Sequence, residues 1–317
     1  MSGNGSISAD GPVEAGCTAL ALSDAVTAGV GLVSEPEELR QGAARATRIA
    51  LDEIEGSEVN RVVMLFLDTR TGDQAEAVAG AYAAAGPQIP LVGGAAGGAE
   101  PVQIAGSSAV ERSVVAVALS SPEPLAVGVA HGCRMVGTPS IVTGAAGRVV
   151  AELDGEPARA VFLRESGFHG DDPSDTEFEA FAVTHPLAQP ELSGSERIRH
   201  VLGQEGDGLL CATHIPENAA VIFTEETPAQ VVATAPQAVS EAVAGLGGAR
   251  PAAALLFDCA GRKRAAGASV AEEVDSLLGA FGVDRPPLAG LFTHGEVARV
   301  RGAKGDRNHA IVVLAFG

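Results

Sequence analysis

The chain has no tryptophan, a single tyrosine and only two lysines, Lys263 and Lys304. So few aromatic rings leave little on which unpaired bases could stack. Asp plus Glu total 40 against 21 Lys plus Arg, a formal net charge of -19, so the surface repels phosphate backbones and anionic lipid. Nucleic acid and membrane partners are therefore not expected. The acidic balance also fits a halophile or a GC-rich genome, and neither bears on activity. No window reaches about 18 uninterrupted apolar residues. The opening "MSGNGSISADGPVEAG" has neither a basic start nor an apolar core, so it reads as neither signal peptide nor anchor. Cys17, Cys133, Cys211 and Cys259 are too widely spaced for a CxxC knuckle or a disulfide framework, which points to free thiols and a cytoplasmic location.

What is present is a large aliphatic content. The apolar fraction of 46% comes mostly from Ala, Val and Leu, which favours close contact between helices and sheets. At 317 residues the chain suits two domains of about 150 residues each. Residues 1–16, rich in Gly and Ser, read as a disordered leader. A helix is predicted over 36–55, opened by Ser34 with Glu37 as its capping-box partner. "RVVMLFL" (61–67) reads as a strand buried on both faces, and 73–86 as a helix closed by Gly86 and Pro87.

A repeat links the two ends of the chain. The run ending at Phe66 leads through a helix to "PLVGGAAGGAE" and "SVVAVALS"; the run ending at Phe257 leads through a helix at 268–282 to "PLAGLFTHGEV" and "AIVVLAFG". Gly93 to Val114 and Gly290 to Ile311 are both 21 residues, whereas Phe66 to Gly93 is 27 and Phe257 to Gly290 is 33, as one short insertion would produce. The predicted fold is α/β: two halves related by internal duplication, mixed sheets with helices on their outer faces, and a pseudo-twofold arrangement. Between the repeats, 124–155 reads as a strand meander and 157–166 as a short helix. The acidic stretch 167–180 reads as a linker, which sets a boundary near residue 170 between a domain at 17–170 and another at 171–317.

"FDCAGRKR" (257–264) puts Cys259 at the end of a buried strand, followed by Arg262, Lys263 and Arg264. Nearby cations favour thiolate, so Cys259 is either a reactive or ligand-contacting thiol beside an anion site, or a buried structural cysteine ahead of a solvated basic turn. "GLFTHGEV" (290–297) puts Thr293, His294 and Glu296 where the first half has "GGAAGGAE"; these side chains face either a bound molecule or water. Arg299, Arg301, Lys304, Arg307, Asn308 and His309 follow. Eight of the 21 basic residues lie between 259 and 307, a local positive potential suited to a carboxylate or phosphate, or a solvated hairpin loop. The seven histidines show no HxH or HExxH spacing, so no metal site is predicted, and Walker, GxGxxG and GxSxG patterns are absent.

These motifs together resemble a family. "GCRMVGTPSIVTGAAGRVVAELDGEPA" (132–158) is similar to the FIST pattern, and "LLFDCAGR", "GLFTHGEV" and "NHAIVVL" resemble its C-terminal signature. The resemblance implies a FIST-N plus FIST-C module, a sensory domain in intracellular signal transduction for small ligands such as amino acids. It puts Cys259, Arg262, Thr293, Glu296, Asn308 and His309 at family motif positions, and His294 lies in the same turn. The first half departs from it at Gly94, Ala95 and Ala96. With no output domain in sight, a separate signalling partner is expected.

The first reading is a sensor whose C-terminal half binds a small anionic metabolite without a cofactor. Arg262 would pair with the anion, Glu296 with an ammonium or hydroxyl, and Thr293 with backbone N–H groups would fix orientation. A haem-binding gas sensor is a second reading. An enzyme with Cys259 as nucleophile and His294 or His309 as base is a third, and would make Cys259 the thiol that iodoacetamide labels fastest.

Overall fold

The computed structural model of the chain describes residues 1–317 apart from 2, 24, 55–58, 99, 192, 193, 195, 301 and 303. The run at 61–67 forms the strand Asn60–Asp68 inside a six-stranded sheet. Its order is Asp306–Arg307, Glu296–Arg299, Leu91–Ala96, Asn60–Asp68, Ser113–Ser121, Thr27–Ser34. The run ending at Phe257 forms Ala253–Cys259 in a second six-stranded sheet, ordered Gly11–Val13, Ser6–Ser8, Leu288–Thr293, Ala253–Cys259, Ala310–Phe316, Leu125–His131. In each sheet the central strand is parallel to the one leading into the Gly-containing turn and antiparallel to its other neighbour. Leu65 lies opposite Gly93 as Leu256 lies opposite Gly290, so the duplication holds to the register.

Alternation along these strands sorts the side chains between two cores. Val63, Leu65 and Leu67 face the helices Leu39–Asp52 and Gln74–Ala85, through Ala43, Ala46, Ala50, Ala77 and Ala81. Val62 and Met64 face the other way and meet Phe257, Val312, Leu314 and Phe316 of the second sheet. On the far side, Leu256, Ile311 and Val313 pack under the helices Pro228–Gly245 and Val270–Gly279. The layers therefore run helix, sheet, sheet, helix, with alanines allowing the close approach that the composition predicted.

A third unit is inserted between Leu125–His131 and Pro228–Gly245. It is an eight-stranded sheet built from Arg134–Ala146, Val149–Leu153, Glu156–Pro157, Leu187–Pro190, Glu196–Arg199, Val201–Glu205, Gly208–Cys211 and Ala220–Glu225. Its own core gathers Val142, Val161, Phe162, Phe178 and Phe223.

Three local expectations are corrected. The stretch 167–180 is not a linker: Ser174 and Glu177 form a reciprocal capping box that starts the helix Asp175–Thr184, and the point at residue 170 lies inside the third unit, between two helices of one core. The helix expected from residue 36 starts at Leu39, because Ser34 is still paired to Ser113 in the sheet and Glu35 takes a positive φ of 46°. Its expected last residue, 55, lies outside the described residues. The expected disordered leader instead contributes two strands, Ser6–Ser8 and Gly11–Val13, and Ser6 and Ile7 pair with Leu291 and Gly290 beside the second sheet. Ile7 is fully buried there.

Among the described residues, no helix is long and apolar enough to cross a membrane. If residues 1–16 belong to the fold, Ile7→Ala removes core contacts and lowers the unfolding free energy by about 2–5 kcal/mol in a urea titration; a change below about 0.5 kcal/mol would restore the loose leader.

Candidate functional site

Cys259 closes its strand and caps the helix Ala260–Ala266, side by side with Thr293 at the end of the next strand. After Thr293 the chain leaves the second sheet. Gly295, at φ 104°, makes the turn, and Glu296 enters the first sheet opposite Gly94. The glycines of the first-half turn now have a purpose: a Cβ on Gly94 would lie 2.7 Å from the Thr293 methyl, and one on Gly97 would lie 2.2 Å from the His294 ring. The two repeated turns pack against each other, and only one side has room for side chains.

Glu296 is fully buried. Burial pushes its carboxyl up to about 8, against hydrogen bonds from Thr293, the Ala310 N–H and the Cys259 thiol. The Thr293 hydroxyl lies 2.8 Å from Glu296 Oε1 and 3.2 Å from the Asp258 carbonyl. A protonated Glu296 satisfies both contacts by donating to Thr293, whose own proton goes to that carbonyl. The Cys259 thiol is pushed well up as well, by burial and then by Glu296, and backbone N–H groups of Arg262, His309 and Gly261 only partly oppose this. The thiolate that nucleophilic catalysis requires is disfavoured.

Arg262 does not face a ligand. Fully enclosed, it donates through Nε to Glu273 at 2.8 Å and through Nη2 to the Val231 carbonyl at 2.6 Å, and Nη1 lies 3.5 Å from Glu226. Asp258 is 3.6 Å away. Burial pushes Asp258 and Glu273 up, and the acids in turn hold Arg262 charged. Burial also works against Glu226, but the hydrogen bond and charge of His309, with Arg262, overcome it and keep this carboxylate ionised.

His309, at a positive φ of 49°, links this cluster to the third unit. Its Nδ1 lies 2.7 Å from Glu226 Oε2 and its Nε2 2.8 Å from His200 Nδ1. An ionised carboxylate only accepts, so His309 Nδ1 carries the proton. Asn308 Oδ1 accepts from the His200 backbone N–H at 3.2 Å. Burial, with the neighbouring His309, Arg264 and His294, drives His200 well down, so its ring is neutral.

A cavity of about 280 Å³ opens where the three units meet. Thr69, Gly72 and Gln74 come from the first sheet's side, Arg148, His200 and Thr213 from the inserted unit, and Cys259, Gly261, Arg264 and His294 from the second sheet's side, with Asn308 on its wall. Gln74 donates to the His294 carbonyl at 2.8 Å, but its Oε1 and the Thr213 hydroxyl are buried without partners.

Of the predicted residues, Cys259, His294 and Asn308 therefore reach the cavity, while Arg262, Thr293, Glu296 and His309 stand behind its wall. Most of the basic cluster is occupied elsewhere. Lys263 bonds Glu14 at 2.8 Å, Arg299 donates to the Ile89 and Pro87 carbonyls at 3.0 Å, and Arg307 donates to the Glu196 carbonyl at 3.2 Å. Arg301 lies outside the described residues. Arg264 is the member of that cluster that lines the cavity. Sequence reasoning missed Gln74, Arg148, His200, Thr213 and Glu226; none sits in a spacing that signals chemistry, and only the tertiary fold collects them.

Two family models together match most of the chain, and the boundary between them falls inside the inserted unit. The FIST N domain matches residues 1–156 and the FIST C domain residues 160–299. An uncharacterised protein of Mycobacterium tuberculosis is 36% identical over 187 residues, covering 55% of this chain and 46% of its own length. One of Mycobacterium bovis is 35% identical over the same span and shares. The chain thus spans about half the length of the curated relatives it matches.

The Glu296 carboxyl, pushed up to about 8, gives a signed prediction. Between its ordinary range and that value the folded chain holds a proton the unfolded chain releases, so its contribution is complete in acid and is lost as pH rises through about 8. Glu296→Gln keeps the donor to Thr293 and the acceptor for Ala310 without ionising. In urea titrations the variant should match the parent near pH 5 and exceed it by about 1 kcal/mol or more near pH 8.5; parallel pH profiles would contradict the buried, protonated acid.

Proposed function

Because the chain belongs to the FIST family, whose modules serve as sensory domains in signal transduction, we propose that it is a small-ligand sensor whose ligand occupies the cavity between the three units. The ligand class is a small anionic metabolite of amino-acid size. Arg264 and Arg148 supply the positive field for a carboxylate, and the neutral rings of His200 and His294 supply directed hydrogen bonds. The observation that carries this reading is the pair of buried, unpartnered polar atoms on the cavity wall, Gln74 Oε1 and Thr213 Oγ1. An acceptor left unsatisfied in a burial of this kind costs about 1–3 kcal/mol, and an ammonium or hydroxyl next to a carboxylate relieves it. The volume falls just below the range of drug-sized pockets, about 300–1,000 Å³, and suits a compact polar molecule. The anion partner expected at Arg262 thus moves to Arg264, two residues further along the same helix and on another of its faces. Because parts of all three units line the site, occupancy is felt by each of them, which is how a sensor passes its state to a separate partner.

A thermal-shift screen with amino acids and short organic acids tests this. A binder present at 100 times its dissociation constant should add about 2.7 kcal/mol of stability. Arg264→Ala should abolish that gain and leave the unliganded melting temperature within a degree or so, since the side chain is exposed. Absence of any stabilising compound, or a gain that persists in the variant, would overturn the assignment.

A further inference from the structure

Behind the cavity wall, three side chains from distant parts of the chain converge. Among the described residues, Cys133, Glu226 and His309 bring one ligand-type atom each within 4.8 Å of one another. Cys133 follows the strand Leu125–His131, Glu226 follows Ala220–Glu225, and His309 precedes Ala310–Phe316, so rigid sheet ends hold all three. We propose that Cys133, Glu226 and His309 form a binding site for a thiophilic divalent transition metal ion of the zinc type.

The donor set of one thiolate, one imidazole and one carboxylate is the borderline mixture that zinc accepts. Bonds of about 2.0–2.3 Å place tetrahedral ligand atoms about 3.3–3.8 Å apart, so the three atoms need to move by roughly an ångström or less. The Glu226 oxygens are already divided: Oε1 accepts from the Gly132 N–H at 3.2 Å and faces Arg262 at 3.5 Å, which leaves Oε2 for the ion. Arg262 directs its short hydrogen bonds to Glu273 at 2.8 Å and the Val231 carbonyl at 2.6 Å, and meets Glu226 only on the Oε1 side. A metal-bound histidine needs a partner for its other ring nitrogen, and His309 has one in His200 Nδ1 at 2.8 Å. Binding displaces the Cys133 thiol proton and the proton on His309 Nδ1 to solvent, while His309 Nε2 keeps its proton and donates it to the neutral His200 Nδ1. Three protein ligands leave a fourth position. His131, two residues before Cys133, keeps Nδ1 buried and unpartnered and lies within electrostatic reach of Glu226 and His309.

This site is separate from the cavity, so cobalt tests it whether or not a cavity ligand exists. The purified chain is stripped with a chelator, dialysed and titrated with Co²⁺. One equivalent should produce a near-ultraviolet thiolate-to-cobalt charge-transfer band with intense visible bands of tetrahedral cobalt, and added Zn²⁺ should bleach both. Cys133→Ser should lose the charge-transfer band, while Cys17→Ser and Cys211→Ser keep it. His200→Ala, which removes the outer partner of His309 and leaves all three ligands in place, should keep the band and weaken cobalt affinity by about 10–100-fold. Circular dichroism establishes that each variant is folded; should Cys133→Ser fail to fold, the His200→Ala affinity decides. No charge-transfer band at one equivalent, a band retained in folded Cys133→Ser, or unchanged affinity in His200→Ala would overturn the site.

Discussion

The buried guanidinium of Arg262 is the constraint that joins the second sheet and its helices to the inserted unit. Removing a partner from an enclosed charge of this kind costs about 3–5 kcal/mol, so the groups around it are not free to drift. Glu273 ties it to the helix Val270–Gly279, the Val231 carbonyl to Pro228–Gly245, and Glu226 to the last strand of the inserted unit. From Glu226 the network continues through His309 to His200 and so returns to the inserted unit from another side. One ionic cluster therefore fixes how the inserted unit sits on the second sheet and its helices.

The cavity is a consequence of that junction and of the duplication. In each half the end of the central strand and the turn beside it are brought to the same edge, but the two copies have diverged. Asp68 holds the position equivalent to Cys259, and Gly97 the position equivalent to His294. The polar side chains of one turn lie in the space that the glycines of the other leave open. Crossing from one sheet to the other between Thr293 and Glu296 then buries an acid at the seam, where only a proton makes it tolerable.

How much of this was legible in the sequence depended on whether the signal was local. The aliphatic runs at 61–67 and before Cys259, with equal 21-residue intervals behind them, disclosed both sheets and their common order, because a strand buried on both faces writes itself as an unbroken apolar run. The resemblance of the motifs picked out Cys259, Thr293, Glu296, Asn308 and His309, and these do assemble at one place. Residues 1–16 looked loose because a short edge strand draws its stability from the sheet it joins. The stretch 167–180 looked like a linker because its helix is announced by a capping box inside an acidic, turn-rich segment. Arg262 looks like a ligand contact in the sequence because a cation beside a strand end has the same signature whether its counter-charges come from a metabolite or from Glu273 and Glu226. No spacing pairs Glu226 or His200 with His309; they are neighbours only after the inserted unit has closed.

The most direct test of the junction is nitrogen NMR of the histidine rings in the chelator-stripped chain labelled at its histidines, followed across pH 5 to 8. A Glu226–His309–His200 chain buried at the meeting point predicts a slowly exchanging ring N–H on His309 Nδ1 and a His200 ring that stays neutral well below the usual imidazole range. A His200 ring that titrates near about 6.5, as a solvated histidine does, with no protected N–H on His309, would mean that the inserted unit does not meet the second sheet in this way.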